Sequence, residues 1–307
     1  MSSVEPTPSP PPADGTAQPE PRQTTPFLVL QFFIFPMAIV GVCVAVFVVF
    51  GLIASEGKGA RDYLNEVRTG SANRRWQAAF ELSKVLQAHK DKALSDPRFI
   101  DEVARTFDEA QRDDPRVRRY LALALGRIGD PRAVPLLRKA LAPDAEGPID
   151  TETQIYAVWA LGAIGDPSAL PDLLRLARGE DAGLRKAAVH ALGSFPSEEA
   201  REALAAALND PVEDVRWNAA IALARRKDPR AVPVLLQMID PAHMTQVPDL
   251  TTDQREDAVL QAVAAAAAFQ DEPEVRSALE RLRDRDPSMK VREAARRALT
   301  ARPGVAP

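Results

Sequence analysis

Residues 118–137 read RRYLALALGRIGDPRAVPLL, residues 154–174 read QIYAVWALGAIGDPSALPDLL, and residues 216–236 read RWNAAIALARRKDPRAVPVLL. Self-similarity of this kind marks a stacked-repeat architecture and decides the fold before any local reading. Anchored on the leucine before the glycine, the copies fall at Leu125, Leu161, Leu192 and Leu223, in steps of 36, 31 and 31 residues. Weaker copies anchor on Leu82 upstream and on Ala266 and Leu299 downstream, in steps of 43, 43 and 33 residues.

Each unit reads as two helices. Val117, Leu121, Ala124 and Leu125 share one side of a 3.6-residue wheel, as do Leu184, Ala188, Ala191 and Leu192, and Val215, Ala219, Ala222 and Leu223. Gly126 and Gly129 both read as terminators of the first helix, because glycine tolerates the left-handed backbone of a helix end. Asp130-Pro131 then restarts the chain, with Asp as cap and Pro pre-set for a first helical turn. Asp166-Pro167 and Asp228-Pro229 repeat the device, and Pro196-Ser197 replaces it in the third copy. Val134, Leu136, Leu137 and Leu141 of the second helix point to the core, and Pro135, Pro171 and Pro233 predict a bent entry.

Paired antiparallel helices with the wording ALGxIGDPxAxPxLL resemble HEAT repeats, and in detail the short HEAT-like repeats of the phycobilisome-lyase type. The resemblance covers about residues 72–301, with degenerate terminal units as capping repeats tend to be. It implies an all-α, right-handed α-solenoid, and a function as an interaction scaffold. Here that solenoid is preceded by one transmembrane helix. From Phe27 to Ala54 the chain is apolar, within a charge-free run over residues 23–55 that is long enough to cross a bilayer. A cleaved signal peptide needs a shorter apolar core and a basic start. The expected organisation is therefore a disordered Pro-rich tail over 1–26, a transmembrane helix over 27–54 and a juxtamembrane linker over 55–71. The solenoid follows over 72–301, with a disordered end over 302–307. The PSPPP run of the tail reads either as a plain flexible segment or as a polyproline ligand. One basic residue, Arg22, precedes the anchor, and Lys58, Arg61, Arg68, Arg74 and Arg75 follow it. That asymmetry predicts a single-pass membrane protein with the solenoid on the cytoplasmic side.

Charge and chemistry narrow the function. Residues 27–307 carry 38 basic and 40 acidic side chains, which is not the footprint of a nucleic-acid binder. The sole cysteine, Cys43, lies in the apolar run, so no thiol nucleophile or disulfide framework is in view. Deoxyhypusine hydroxylases share this repeat class and bind iron through His-Glu pairs. Here His89, His190 and His243 precede Lys90, Ala191 and Met244, so no such pair exists and no metal or other cofactor is expected. No serine sits in a nucleophile elbow, and the glycines lack the Lys-Ser/Thr ending of a phosphate loop. The chain reads as a membrane-anchored, non-catalytic scaffold for a protein partner. The alternative is a lyase-like subunit or an accessory to a cofactor-modifying enzyme.

The candidate partner-binding residues are Trp76, Trp217, Arg138, Arg175, Arg178, Glu198 and Glu202. Trp76 and Trp217 align with Arg119 and Lys186, roughly opposite the apolar stripe, where they are either interface anchors or packing between units. Trp159 reads as structural, nearer the repeat seam. Second helices usually line the concave face of such stacks, and the sign of their charge varies from basic to acidic to mixed along the row. That pattern reads either as partner recognition or as a solvated face. Insertions at 142–153 and 240–253 break the period and read as loops on one edge.

Overall fold

The computed structural model describes residues 34–54, 58–88, 91–142 and 150–300, which are helical with no strand among them. The chain divides into two compact units, residues 1–57 and 58–307. The first unit contributes helix α1, Phe35–Ala54. Its described side chains stand exposed all round, Met37 at 77% and Phe47 at 82%. Residues 27–33 of the expected span lie outside the described residues, as do the tail over 1–26 and the end over 302–307. Among the described residues no helix is long and apolar enough to cross a membrane.

The second unit is a HEAT-like stack. Its first helices are α3 (Ala72–Gln87), α5 (Pro115–Ile128), α7 (Thr151–Ile164), α9 (Ala182–Leu192), α11 (Glu213–Arg225) and α14 (Thr252–Ala266). The matching second helices are α4 (Pro97–Glu109), α6 (Val134–Lys139), α8 (Leu170–Leu176), α10 (Glu198–Ala207), α12 (Val232–Met238) and α15 (Pro273–Arg285). Three further helices complete it: α2 (Ala60–Thr69), α13 (Pro241–Gln246) and α16 (Met289–Thr300). The expected linker over 55–71 is thus mostly helix. Ala60, Leu64 and Val67 of α2 are buried, and the Ala60 N–H donates to Asp91 Oδ2 at 2.8 Å, so α2 caps the open end of the first pair. At the far end α16 does the same with Val291, Ala295 and Ala298. The second insertion likewise is no mere loop, since it contains α13. Residues 143–149 of the first insertion lie outside the described residues.

The anchor leucines Leu82, Leu125, Leu161, Leu192 and Leu223 are all fully buried. Each is the eleventh residue of its first helix, and that rule corrects the sixth copy. In α14 the eleventh residue is Ala262, not Ala266, so the last steps are 39 and 37 residues.

The junction chemistry follows the sequence with one correction. The carboxylates of Asp130, Asp166 and Asp228 accept the N–H of Arg132, Ser168 and Arg230 at 2.9, 2.8 and 3.1 Å. A 3-10 turn follows each Asp-Pro, and it is the bent entry that the second proline demands. Gly129 and Gly165 adopt φ of 74° and 69°, as helix-ending glycines do. Gly126 and Gly162 instead lie inside α5 and α7. A Cβ on Gly126 would stand 2.7 Å from Ala160 Cα, and one on Gly162 would stand 2.7 Å from Ala191 Cβ. Their missing side chains let consecutive first helices touch backbone to backbone.

Candidate partner-binding surface

Counting positions along the first helices sorts every exposed and buried polar side chain into columns. The fourth residue is Arg75, Arg118, Gln154, Arg185, Arg216, Arg255 or Arg292. All but Arg118, which lies over the Phe107 ring, turn back and bind the chain entering their own helix. Arg75 Nε donates to Val67 O at 2.7 Å, Gln154 Nε2 to Leu141 O at 3.0 Å, and Arg216 Nη1 to Asp210 O at 2.7 Å. Arg255 Nε reaches Met244 O at 2.8 Å, which fixes the second insertion to α14. Such bonds satisfy carbonyls that a helix end leaves orphaned. This column is structural.

At five junctions the fifth residue of one helix meets the second residue of the next. Trp76 lies under the Arg116 guanidinium, 4.4 Å from ring centroid to Cζ. Arg119 pairs with Glu152, Lys186 with Asp214, and Glu256 with Lys290. A Cβ on Gly183 would stand 3.2 Å from Ile155 Cδ1. The column therefore faces the seam, which corrects the outward reading of both tryptophans. Trp217 is 7% exposed and packs in the core, while Trp76 is half-buried with its Nε1 donating to Asn73 Oδ1 at 2.9 Å. Burial takes Trp217 out of reach of a partner, whereas Trp76 keeps part of its ring at the surface.

The seam also holds the least exposed ion pair among the described residues. Arg185 grips Asp210 in a fork, Nε to Oδ2 at 2.8 Å and Nη2 to Oδ1 at 3.1 Å, with side chains 12% and 9% exposed. Burial pushes the Asp210 carboxyl up, but the Arg185 bonds and the Val212 N–H outweigh it and hold it below the ordinary value. Asp150, bound by Arg119 and Thr153, and Asp228, bound first by Arg230, are held low in the same direction.

The second-helix charges are less available than their sequence suggests. Arg138 Nε binds Asp172 Oδ2 at 2.6 Å, and Arg175 reaches the same carboxylate at 3.4 Å. Arg230 binds Glu202 at 2.9 Å across a unit boundary, and Glu198 binds Arg201 at 2.7 Å. Arg178 is exposed and makes none of these pairs. The alternating signs along this edge are thus partners of one another. Where the second insertion breaks the period, α12 and α13 part from α15. They leave a solvent-open groove of about 930 Å³, lined by Leu236, Ile239, Pro241, Ala278 and Leu282 with Arg281 at its rim.

The ninth column is the one that sequence reasoning missed. It reads Phe80, Leu123, Trp159, His190, Ile221 and Leu260, all exposed or half-exposed. Trp159, expected to be structural, is 42% exposed, and Phe80 is 38% exposed. Tyr120 and Tyr156, from the sixth position, join them into a chain of rings. The centroids lie 5.2 Å apart for Phe80–Tyr120, 6.1 Å for Tyr120–Tyr156 and 5.1 Å for Tyr156–Trp159. Stacking the aligned copies and reading two residues before each anchor finds this column directly.

Among the described residues no three His, Cys, Asp or Glu side chains are grouped to hold a metal. His190 is exposed, His243 Nε2 lies 3.5 Å from Glu213 Oε1, and His89 lies outside the described residues.

Comparison with known proteins agrees with the geometry. The HEAT repeats family matches residues 103–193, 149–215 and 176–247. A chain of the CpcE–CpcF complex of phycocyanin lyase from Nostoc sp. PCC7120 is similar in fold, with TM-score 0.52 and 19% identity over 80% of this chain and 96% of that one. Human deoxyhypusine hydroxylase in complex with glycerol aligns with TM-score 0.33 and 23% identity, over 82% of this chain and 87% of that one. A computationally designed armadillo repeat protein for modular peptide recognition aligns with TM-score 0.36 and 18% identity, over 79% and 99%. No curated protein matches the sequence.

Proposed function

We propose that this HEAT-like repeat protein is a membrane-anchored, non-catalytic scaffold that holds a protein partner on its stack. The observation that carries the partner site is the groove between α12, α13 and α15. Its lining is mainly apolar, it is open to solvent, and its charged residues are mixed, Arg281 and Arg285 with Asp240, Glu274 and Asp286. An apolar groove between helices with charges of both signs around it suits a partner helix or extended segment with an apolar face. Stacked repeats elsewhere work this way, and the Nostoc relative itself is solved as a complex of two proteins.

Anchoring rests on the charge-free run over 23–55 and on α1, whose described side chains are apolar and exposed on every side. A helix that is apolar all round needs an apolar medium. The excess of Lys and Arg after this run supports a stack on the cytoplasmic side. Tethering to a surface raises the effective concentration of a partner at the same membrane, so a modest affinity suffices.

The test is photo-crosslinking in intact membranes from Ser277, which lines the groove, using the full chain. A defined protein adduct is expected, and Arg281→Glu together with Arg285→Glu should reduce it at least tenfold. Replacing His89, His190 and His243 together by Gln should leave it unchanged. An adduct indifferent to both arginines would overturn the groove as the site. Loss of an enzymatic product on the triple replacement, with the adduct intact, would favour the lyase-like alternative.

A further inference from the structure

The seam columns are mutually satisfied across the repeats, whereas the ninth column has no such partners. Five of its six members are apolar, it crosses consecutive repeats, and four of its members or neighbours are aromatic residues in ring contact. Contiguous exposed apolar surface of this kind marks an interaction site. We infer that this ridge of the first helices, Phe80–Tyr120–Tyr156–Trp159, rests in the headgroup layer of the bilayer; the inference builds on the anchoring reading.

Three features select a lipid surface over another occupant. The first is chemistry. Tryptophan and tyrosine combine an apolar ring with a polar tip and concentrate at membrane interfaces. The ring contacts hold the side chains as a rigid ridge, so little freedom is lost on insertion. The second is charge. Helix α3, which bears Phe80, has Arg74, Arg75 and Lys84 against Glu81, and α5, which bears Tyr120, has Arg116, Arg118, Arg119 and Arg127 and no acid. Lys84 lies over the Phe80 ring and pairs with Glu81, and Arg116 pairs with Asp114; both are exposed, where anionic headgroups would meet them. The second helices of the same repeats are mixed in sign, α4 with Asp101, Glu102, Asp108 and Glu109 against Arg98 and Arg105, and α6 with Arg138 and Lys139. The third is reach. Ala54 ends α1 and Ala60 starts α2, so the chain between them spans about 20 Å at most. The start of α2 is therefore tethered within that distance of the end of α1. The second-helix edge and its groove remain free for a protein.

The test uses the full chain in vesicles of phosphatidylcholine and phosphatidylglycerol, with ordinary or dibrominated acyl chains. The emission of Trp159 is isolated as the difference between the wild type and Trp159→Phe, an exposed position where the replacement leaves the core intact. Bromolipid should quench that difference by at least half, and omitting the anionic lipid should weaken the quenching. Buried Trp217 serves as the unquenched reference. A carbonate wash of the same vesicles keeps the two readings apart. Protein that is washed off overturns the anchor and this inference together. Protein that is retained with an unquenched Trp159 overturns this inference alone and assigns the ridge to a protein.

Discussion

The first and second helices of the same repeats hold on to their neighbours by different means. First helices meet through Gly126–Ala160 and Gly162–Ala191, where backbones come within van der Waals contact, and through the buried Arg185–Asp210 fork. Second helices meet mainly through exposed pairs such as Arg132–Asp101, Arg138–Asp172 and Arg230–Glu202. Close packing is short-ranged and intolerant of displacement, whereas exposed ion pairs contribute about 0–1 kcal/mol each and re-form easily. The stack is therefore hinged along its first-helix layer and compliant along its second-helix edge, where the groove lies.

The largest test of that contrast is Leu161→Asp. Leu161 is fully buried in the first-helix layer, and an unpaired buried carboxylate costs several kcal/mol, comparable with the stability of a whole domain at about 5–15 kcal/mol. Units of a stack depend on their interfaces, so hydrogen exchange should report loss of protection in more than one repeat. Protection that survives in the pair α7 and α8 would show that the layers are not coupled as described.

Asp210→Ala comes next, at about 2–3 kcal/mol in a thermal or urea melt, because it strands the half-buried Arg185 and removes charge-assisted bonds. Glu202→Ala, which breaks an exposed second-helix pair, should move the same melt by less than about 0.5 kcal/mol. Similar shifts for both would erase the distinction between the layers. The seam carboxylates also set an acid limit. Asp150, Asp210 and Asp228 are held below their ordinary values, so the unfolded chain binds protons first as pH falls. Their contribution is complete above about pH 5 and is lost as pH drops below about 4 and through the lower folded values. Asp210→Ala should flatten part of that loss.

The smallest effect has the opposite sign. Lys227 stands where Gly129 and Gly165 stand in earlier copies and adopts φ of 56°, a left-handed conformation that favours glycine. Lys227→Gly should stabilise the fourth unit by about 1 kcal/mol, read as a raised melting temperature. A lower melting temperature would mean that the lysine side chain makes a contact worth more than the backbone strain.

The fold was legible because its landmarks are chemical: a leucine, a glycine, an Asp-Pro. The sixth copy misled because residues 262–268 read AVAAAAA, which offers no landmark, whereas Arg255 at the fourth helical position gives the register at once. Trp76 and Trp217 misled for a geometric reason. A helical wheel assumes one buried stripe, but a helix inside a stack has a neighbour on each flank, and the fifth position faces one of them. Trp159 erred the other way, since reading one helix alone hides that its position is apolar and exposed in unit after unit. The paired state of the second-helix charges was beyond the sequence, because the partners lie 28 to 34 residues apart on separate helices.

Near-identical modules in one chain invite a particular error, in which a unit docks on the wrong sibling. The fifth-to-second contact guards against it, because no two neighbouring junctions use the same lock. One is a cation over an indole, the next an Arg on a Glu, the next an isoleucine over a glycine, the next a Lys on an Asp, and the last has its polarity reversed, Glu256 to Lys290. Some wrong pairings are penalised: Glu256 offered to Glu152 or Asp214 would set like charges together, and Arg119 or Lys186 offered to Lys290 would do the same. Mismatched keys of this kind penalise wrong pairings more than they strengthen right ones. The order of the modules is thus written into the chain as a series of distinct addresses, which lets repetitive text assemble into a single sequence-ordered object.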